Sequence, residues 1–566
     1  MSILILGVGK HTGLTDKEIA GIIDHANDSV RLAKLINGIL SADAPGRLKM
    51  ADGFITLPKM SSGVLVCPAT RVIAASNAVT PARADYPCDN IDDEEQLNQG
   101  RADMGGIGGL EELTEGTFTV GTGTFYLGNR HTLQGRGKDV TIIKAKNGAT
   151  VPLLTASAVT DVLVRDLTLD GNQAGGATGR LLALSSVQRV RFERVKFVNC
   201  PNLAAIYPTG ATNPRLEFVD CVFADLESHA IDLTGSSTCE WFRVVGCLFN
   251  SVKGYGITGG TTVNLPSGRI QNNEFRFVGL SGYSSVYLTL DHDTQVTGNI
   301  VIGGPTGRSG MDIRGVIASG LVANNTFYMT ARDALFLDGK NFSVIGNVIY
   351  AVRGFYSGIY MEAGSYNLLL VGNMIYCCQD HGMQVKGSYH SILNNMLIDN
   401  GQRVDNTAYD IWLNEATDCL VEGNRIRATL AKKTAFAIRE SGAAARNTIQ
   451  GNPINTVAGR YYSLLPITIS AGGIAVGMGS KGRLYVVDTE GGAATDDLDS
   501  ITGGAQGEFI VLKAANSART VVVKHATGNL RLDGLVDFSL DNADDSLLLM
   551  SDGTNWLEMS RSSNGA

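Results

Sequence analysis

Val344-Ile345-Gly346-Asn347-Val348-Ile349 frames a Gly-Asn pair between apolar residues five apart. The phrase returns as Leu370-Val371-Gly372-Asn373-Met374-Ile375 and as Val421-Glu422-Gly423-Asn424-Arg425-Ile426. Looser copies bring the total to twelve between Val164 and Ile454. The fourth position falls at Leu167, Val195, Cys221, Cys247, Asn273, Asn299, Asn325, Asn347, Asn373, Asn395, Asn424 and Asn452, at intervals of 22 to 29 residues. A period of that size marks a repeat architecture in which each unit buries its apolar face only against its neighbours.

The repeats lack the long 3.6-residue periodicity of helical solenoids. They are short alternating runs, such as Leu216-Glu217-Phe218-Val219 and Ile359-Tyr360-Met361, divided by Gly, Asn, Asp and Ser turns. One period holds three short strands and three turns, one coil of a parallel β-helix. Coils stack at roughly 4.8 Å, so Asn side chains one coil apart can bond amide to carbonyl up the stack. Asn also tolerates the left-handed backbone of a sharp turn. Where the column reads Leu167, Val195, Cys221 and Cys247, the slot is small or apolar and faces inward. The expected fold is all-β, a right-handed parallel β-helix of about twelve or more coils.

Composition agrees with many short strands and turns: 68 Gly against 13 Pro, 44% apolar and only 18% charged residues. A net charge of −8 argues against a nucleic-acid partner. No 18-residue apolar run is present, so no membrane insertion is expected. The first residues show no basic stretch or small-residue cleavage site, so no signal peptide is read there. Nine Cys without metal-type spacing, among them Cys200, Cys221, Cys247, Cys377 and Cys378, read as reduced interior or turn thiols. No cofactor and no metal site are expected.

Residues 1–85 do not repeat. Residues 15–40 read as an amphipathic helix, opened by a Thr15/Glu18 capping box and followed by Ile19, Ile22, Ile23, Ala26, Val30, Ala33, Ile36 and Leu40. Residues 50–71 read as small hairpins. These define a small N-terminal α/β module, followed by a β-helix over 86–460 and a separate β domain over 461–566. In that last domain strands are expected near Leu484, Phe509–Leu512, Thr520–Lys524, Gly534–Leu540, Leu547–Ser551 and Trp556–Met559.

Ala84-Asp85-Tyr86-Pro87-Cys88-Asp89, the acidic Asp92-Asp93-Glu94-Glu95-Gln96-Leu97, and Leu133-Gln134-Gly135-Arg136-Gly137-Lys138-Asp139-Val140-Thr141-Ile142-Ile143 resemble the opening of pectate-lyase-like right-handed β-helices. That resemblance implies a short helix capping the first coil. The block containing Asp488-Thr489-Glu490, Gly503-Gly504, Gly528-Asn529-Leu530 and Asp552-Gly553-Thr554-Asn555-Trp556-Leu557-Glu558 resembles the distal β domains of tailed-bacteriophage tail fibres and tailspikes. It implies a homotrimer with a C-terminal β-sandwich-like trimerisation cap, attached to other virion proteins through its N-terminal module. The implied function is that of a virion protein, a tailspike or side fibre binding host surface polysaccharide, with cleavage by glycoside-hydrolase chemistry left open. A free extracellular polysaccharide hydrolase or lyase is the alternative.

The strand before each phrase aligns from coil to coil, from Ile231-Asp232-Leu233-Thr234 to Phe436-Ala437-Ile438-Arg439. Its first and third residues are apolar and face the core, so its second and fourth face outward. The outward residues form a stripe: Asp232/Thr234, Tyr287/Thr289, Asp312/Arg314, Phe336/Asp338, Tyr360/Glu362, Gln384/Lys386, Trp412/Asn414 and Arg439. Aromatic rings flanked by hydrogen-bonding groups suit sugars, which have apolar C–H faces and polar rims. The candidate binding residues are therefore Tyr287, Arg314, Phe336, Tyr360, Gln384, Lys386, Trp412, Asn414 and Arg439. Asp338 and Glu362 share a column on adjacent coils, roughly 5 Å apart, the spacing of a retaining carboxylate pair. Asp312 lies roughly 9–10 Å from Glu362, nearer the inverting range. These three are the candidate catalytic carboxylates. The same charges also fit a solvated surface on which Arg314 and Lys386 neutralise their neighbours. Asp380-His381-Gly382 resembles the His-Gly of polygalacturonases, but that family's Asn-Thr-Asp and Arg-x-Lys partners have no counterpart here. The calcium-ligating Asp set and Arg-x-Pro-x-x-Arg motif of pectate lyases are likewise missing. Asp291-His292-Asp293 reads as a polar turn.

Overall fold

The computed structural model describes residues 69–566 apart from 202, 261–262, 291, 304–308, 316–318, 456–461, 464–465, 477–482 and 566. The helix expected over 15–40 and nearly all of the hairpins expected over 50–71 lie outside the described residues, as does Asp291.

Three parallel sheets run along the chain. Over the described residues, sheet I has 16 strands, sheet II has 14 and sheet III has 15. Neighbouring strands in each sheet come from successive coils. In sheet I, Val344 pairs with Val322 of the coil before and Leu370 of the coil after. The chain visits sheets I, II and III in turn, making a right-handed parallel β-helix. Core-facing residues alternate with outward ones in all three sheets, and one continuous apolar core fills the interior. Part of that core is a stack of Phe197, Phe223, Phe249 and Phe275, with ring centroids 4.8, 4.6 and 4.6 Å apart and nearly parallel planes.

The Asn phrase is the turn from sheet I to sheet II, and it is invariant in length. Sheet I and sheet II strands start five residues apart at Gln295 and Ile300, Leu321 and Thr326, Ser343 and Val348, and Leu369 and Met374. The left-handed residue is the one before the ladder Asn: Gly298, Gly346, Gly372, Gly423 and Gly451, or Asn272, Asn324 and Asn394, with φ between 53° and 68°. The tolerance expected of the ladder Asn thus belongs to its neighbour, where Gly carries no Cβ penalty and Asn is the next cheapest residue. The ladder Asn has a different task. From Asn273 through Asn299, Asn325, Asn347, Asn373, Asn395 and Asn424 to Asn452, each Nδ2 donates to the next Oδ1 at 2.9–3.0 Å. The same Oδ1 accepts the backbone N–H of the preceding ladder Asn at 2.9–3.0 Å. The second Nδ2 hydrogen goes to a main-chain carbonyl, as from Asn347 to Val322 at 3.0 Å. All eight Asn stand in one line, as the repeat reading requires.

The stack opens earlier than residue 86. Ala69–Ala74 pairs with Gly109–Leu113 in sheet I, and Tyr86–Pro87 adds outside it. The helix Glu94–Asp103 packs on these strands through buried Leu97. Its Glu94 carboxylate accepts the backbone N–H groups of Thr122 and Gly123 at 3.0 and 2.6 Å, tying helix to coil. At the other end sheet III runs on to Tyr462–Ser463.

The C-terminal residues do not build the expected sandwich. Parallel pairing continues there at offsets of 20 to 27 residues: Ile467 with Val487, Val487 with Ala514, Gly473 with Ser500 and Thr495 with Thr520. Coiling thus outlasts the Asn phrase that advertised it, because backbone pairing needs only the period. Asn529 serves one corner, accepting the Ile501 N–H at 2.9 Å and donating to the Ile501 carbonyl at 2.8 Å. Antiparallel strands Phe538–Leu540, Ser546–Ser551 and Trp556–Ser562 close this part. It has its own core, with Trp556 fully buried in it. The described Cys residues are all free thiols, seven of the eight buried.

Candidate functional site

The predicted stripe lies on the outer face of sheet III. Tyr287 registers with Asp312, Asp312 with Phe336, Phe336 with Tyr360, Tyr360 with Gln384, Gln384 with Trp412 and Trp412 with Arg439. In the second column Thr289 pairs with Arg314 and Arg314 with Asp338. The Glu362 N–H donates to the Leu337 carbonyl at 2.8 Å, which places Glu362 in that column on the next coil. The column then breaks. Val385 pairs with Leu413 but Gly387 with Ala416, so Asn414 and Glu415 together face Lys386 across a bulge. Lys386 and Asn414 therefore do not stand as simple coil neighbours.

Arg314 organises the centre. Its Nε lies 3.0 Å from Asp312 Oδ1, and its NH1 lies 3.7 Å from Asp338 Oδ2. Its guanidinium also sits 5.2 Å from the Tyr287 ring centre and 5.3 Å from that of Phe336. The paired carboxylates raise the Arg314 pKa further, so it is a permanent cation. Asp312 points outward as expected but is only 6% exposed. Its bidentate pairing to Arg314 makes it a support for the guanidinium rather than an open carboxylate. Asp338 remains 31% exposed beside a shallow depression of about 190 Å³ that Arg314, Lys340 and Gly364 also line. Glu362 is partly exposed and accepts the Ala363 N–H at 2.9 Å.

Planar groups follow one another from the corner residue Tyr255 into the strand columns at nearly the coil rise. Tyr255 to Tyr287 is 5.4 Å, Tyr287 to Arg314 5.2 Å, Arg314 to Phe336 5.3 Å, and Phe336 to Tyr360 5.3 Å with planes 14° apart. Burial, the Glu362 charge and, more weakly, buried Asp333 raise the Tyr360 phenol pKa, while neighbouring Lys386 works against them. Farther along, Trp412 lies 4.7 Å from the His381 ring and 5.5 Å from Tyr409, and its Nε1 donates to Ser441 Oγ at 2.5 Å. Arg439 stands over Phe436 at 5.5 Å.

Strand alternation did not reveal His229, Tyr255, Tyr283, His381 and Tyr409. His229, Tyr255 and His381 occupy the corner just before sheet III, two residues ahead of a core residue, where the chain is turning and period two does not apply; Tyr409 opens its sheet III strand and registers with Phe436. The signal was the shared offset of His229 before Ile231, Tyr255 before Ile257, His381 before Met383 and Tyr409 before Ile411. His229 Nδ1 accepts the Tyr255 N–H at 3.0 Å, and His381 Nδ1 accepts the Tyr409 N–H at 2.9 Å. Burial lowers both imidazole pKa values, against a smaller opposing pull from Asp232 and Asp380. Both rings are neutral aromatic surfaces at neutral pH. Among the described residues, no group of three or more His, Cys, Asp or Glu is placed to hold a metal ion. No described helix is long and apolar enough to cross a membrane.

A family model described as a right-handed β-helix region matches residues 260–404. No curated protein sequence matches the chain. Among solved structures, the A-module of the Azotobacter vinelandii mannuronan C-5 epimerase AlgE4 is 17% identical, with a TM-score of 0.37 over 67% of this chain and 95% of that one. Tailspike protein 3 of bacteriophage CBA120 is 13% identical, with a TM-score of 0.41 over 70% and 61%. ORF18 of Geobacillus virus E2 is 13% identical, with a TM-score of 0.31 over 87% and 76%.

Proposed function

We propose that this chain binds a polysaccharide along the outer face of sheet III, as a virion appendage protein that recognises a host surface glycan. The observation that carries the binding reading is the run of planar groups from Tyr255 to Tyr360, each 5.2–5.4 Å from the next. A glycan chain lying along the coil axis meets an apolar ring or a guanidinium plane at each coil, with Asp338, Glu362 and Gln384 along the rim. The virion setting is supported by the resemblance of residues 484–558 to distal tail-fibre domains, and with it go a homotrimer and an N-terminal attachment module.

The second reading is cleavage of the bound chain. It is favoured by Asp338 and Glu362, two partly exposed carboxylates in one column on successive coils. One would act as acid and the other as nucleophile or base.

One experiment separates these readings. Purified protein is titrated calorimetrically against a panel of bacterial surface polysaccharides, and reducing ends are assayed in parallel. Tyr360→Ala and Trp412→Ala should each weaken binding by roughly 1 kcal/mol or more through lost ring contact. Wild-type affinity in both variants would remove the stripe from binding. If the chain is cleaved, Asp338→Asn and Glu362→Gln should each abolish new reducing ends and leave affinity intact.

A further inference from the structure

Beside the stripe, the corner loops between sheets II and III carry a second arrangement. Arg332 lies 4.6 Å over the Tyr356 ring, and Arg403 lies 3.4 Å over the adjacent Phe355, whose side chain is 68% exposed. One two-residue aromatic tip is thus held between guanidiniums from two other coils. Arg353 begins the same loop, and Lys432 is fixed next to Arg403 by donating from Nζ to its carbonyl at 3.0 Å. Arg403 is itself placed by its N–H to the Gln379 carbonyl at 2.8 Å.

The local acids are engaged elsewhere. Asp333 is buried and accepts the Ser357 N–H at 2.8 Å, and its charge reaches Arg332 through space without forming an ion pair. Asp405 accepts the Lys433 N–H and the Asn406 amide. Asp380 faces His381 at 3.8 Å. Among the described residues no carboxylate forms an ion pair with Arg332, Arg353 or Arg403, and the buried Nε atoms of Arg332 and Arg403 lack a hydrogen-bond partner. Elsewhere in this chain of net charge −8, arginines such as Arg189, Arg194 and Arg446 are matched to Asp161, Asp166 and Asp418 one coil away. A guanidinium placed over a ring can still present its terminal N–H groups, in a fork that matches a carboxylate or phosphate.

We infer that this corner is an anion subsite, and that the polysaccharide of the proposed function bears a carboxylate or phosphate group that docks on Arg332 and Arg403 while its sugar backbone lies on the stripe. The inference rests on the glycan reading. Against a negative protein surface, an acidic chain needs such a local cationic foothold.

The test prints each polysaccharide of the panel in native, carboxyl-reduced and hydrogen-fluoride-dephosphorylated forms. Wild-type protein should retain acidic polymers, and should lose roughly tenfold or more in affinity when the docking anion is removed. The treatment that abolishes binding identifies carboxylate or phosphate. Arg403→Gln and Arg332→Gln should reproduce that loss on the native polymer and flatten its salt dependence, with unchanged melting curves. Tightest binding to a neutral polymer, or no change on removing the anions or the arginines, overturns the subsite and leaves the glycan reading standing. Retention of no polymer at all overturns both.

Discussion

Asn347→Leu probes the ladder where it is most demanding. Asn347 is fully buried and makes four side-chain bonds: it accepts from Asn325 N and Nδ2 at 3.0 Å each, and donates to Asn373 Oδ1 at 2.9 Å and the Val322 carbonyl at 3.0 Å. Leu has the same branched skeleton, though bulkier, and no polar atom, so two donors of Asn325 are stranded in the core. At about 1–3 kcal/mol for each buried donor left unpaired, the loss is about 2–6 kcal/mol. Asn273 offers an internal control, because above it the column already reads Cys247 and its Oδ1 accepts only the Cys247 N–H at 2.8 Å. Asn273→Cys strands one donor and should cost about 1–3 kcal/mol. A long solenoid exposes many strand edges when it opens, so unfolding rate is a better measure than an equilibrium midpoint. Unfolding kinetics should be paired with hydrogen exchange at the Asn325 amide, which should accelerate in Asn347→Leu and stay slow in Asn273→Cys. Equal loss in the two variants, or an unchanged Asn325 amide, would refute the counting of stranded donors.

Removing residues 461–566 should leave monomer or aggregate in sedimentation, because the last coil and the proposed trimer contacts go together; a clean full-length monomer would reject the trimer. Burial raises the Asp410 carboxyl from 3.8 to about 7, despite bonds from Asn400 and Thr434. The folded state then holds a proton that the unfolded chain releases, so stability should fall as pH rises from about 4 to 7, and Asp410→Asn should flatten that slope in melting curves.

The ladder was legible because Asn347 and its fellows recur with the coil, and period survives any detail of packing. The stripe was legible for a related reason, since alternation fixes which side of sheet III Tyr360 and Trp412 occupy. Alternation says nothing about what covers an outward residue, so the shielding of Asp312 by Arg314 could not be read. Nor does it extend through corners, which hid His229, Tyr255 and the Arg332–Tyr356–Phe355–Arg403 arrangement. An inserted residue shifts a column silently, as Glu415 does opposite Lys386. In the C-terminal residues the coil persists without its marker, so Ile467, Val487 and Ala514 gave no sign that they stack.

The ladder also has a direction and two finished ends. At the first end Asn273 receives the N–H of Cys247, and at the last the Asn452 amide turns back to the carbonyls of Val421 and Gln450. A whole extra coil could be spliced between them by gene duplication and every amide would still find its mate, whereas a fraction of a coil would orphan two. The length of this molecule can therefore change only in discrete steps, as a ruler gains whole graduations, and its reach along a ligand is counted in coils rather than residues.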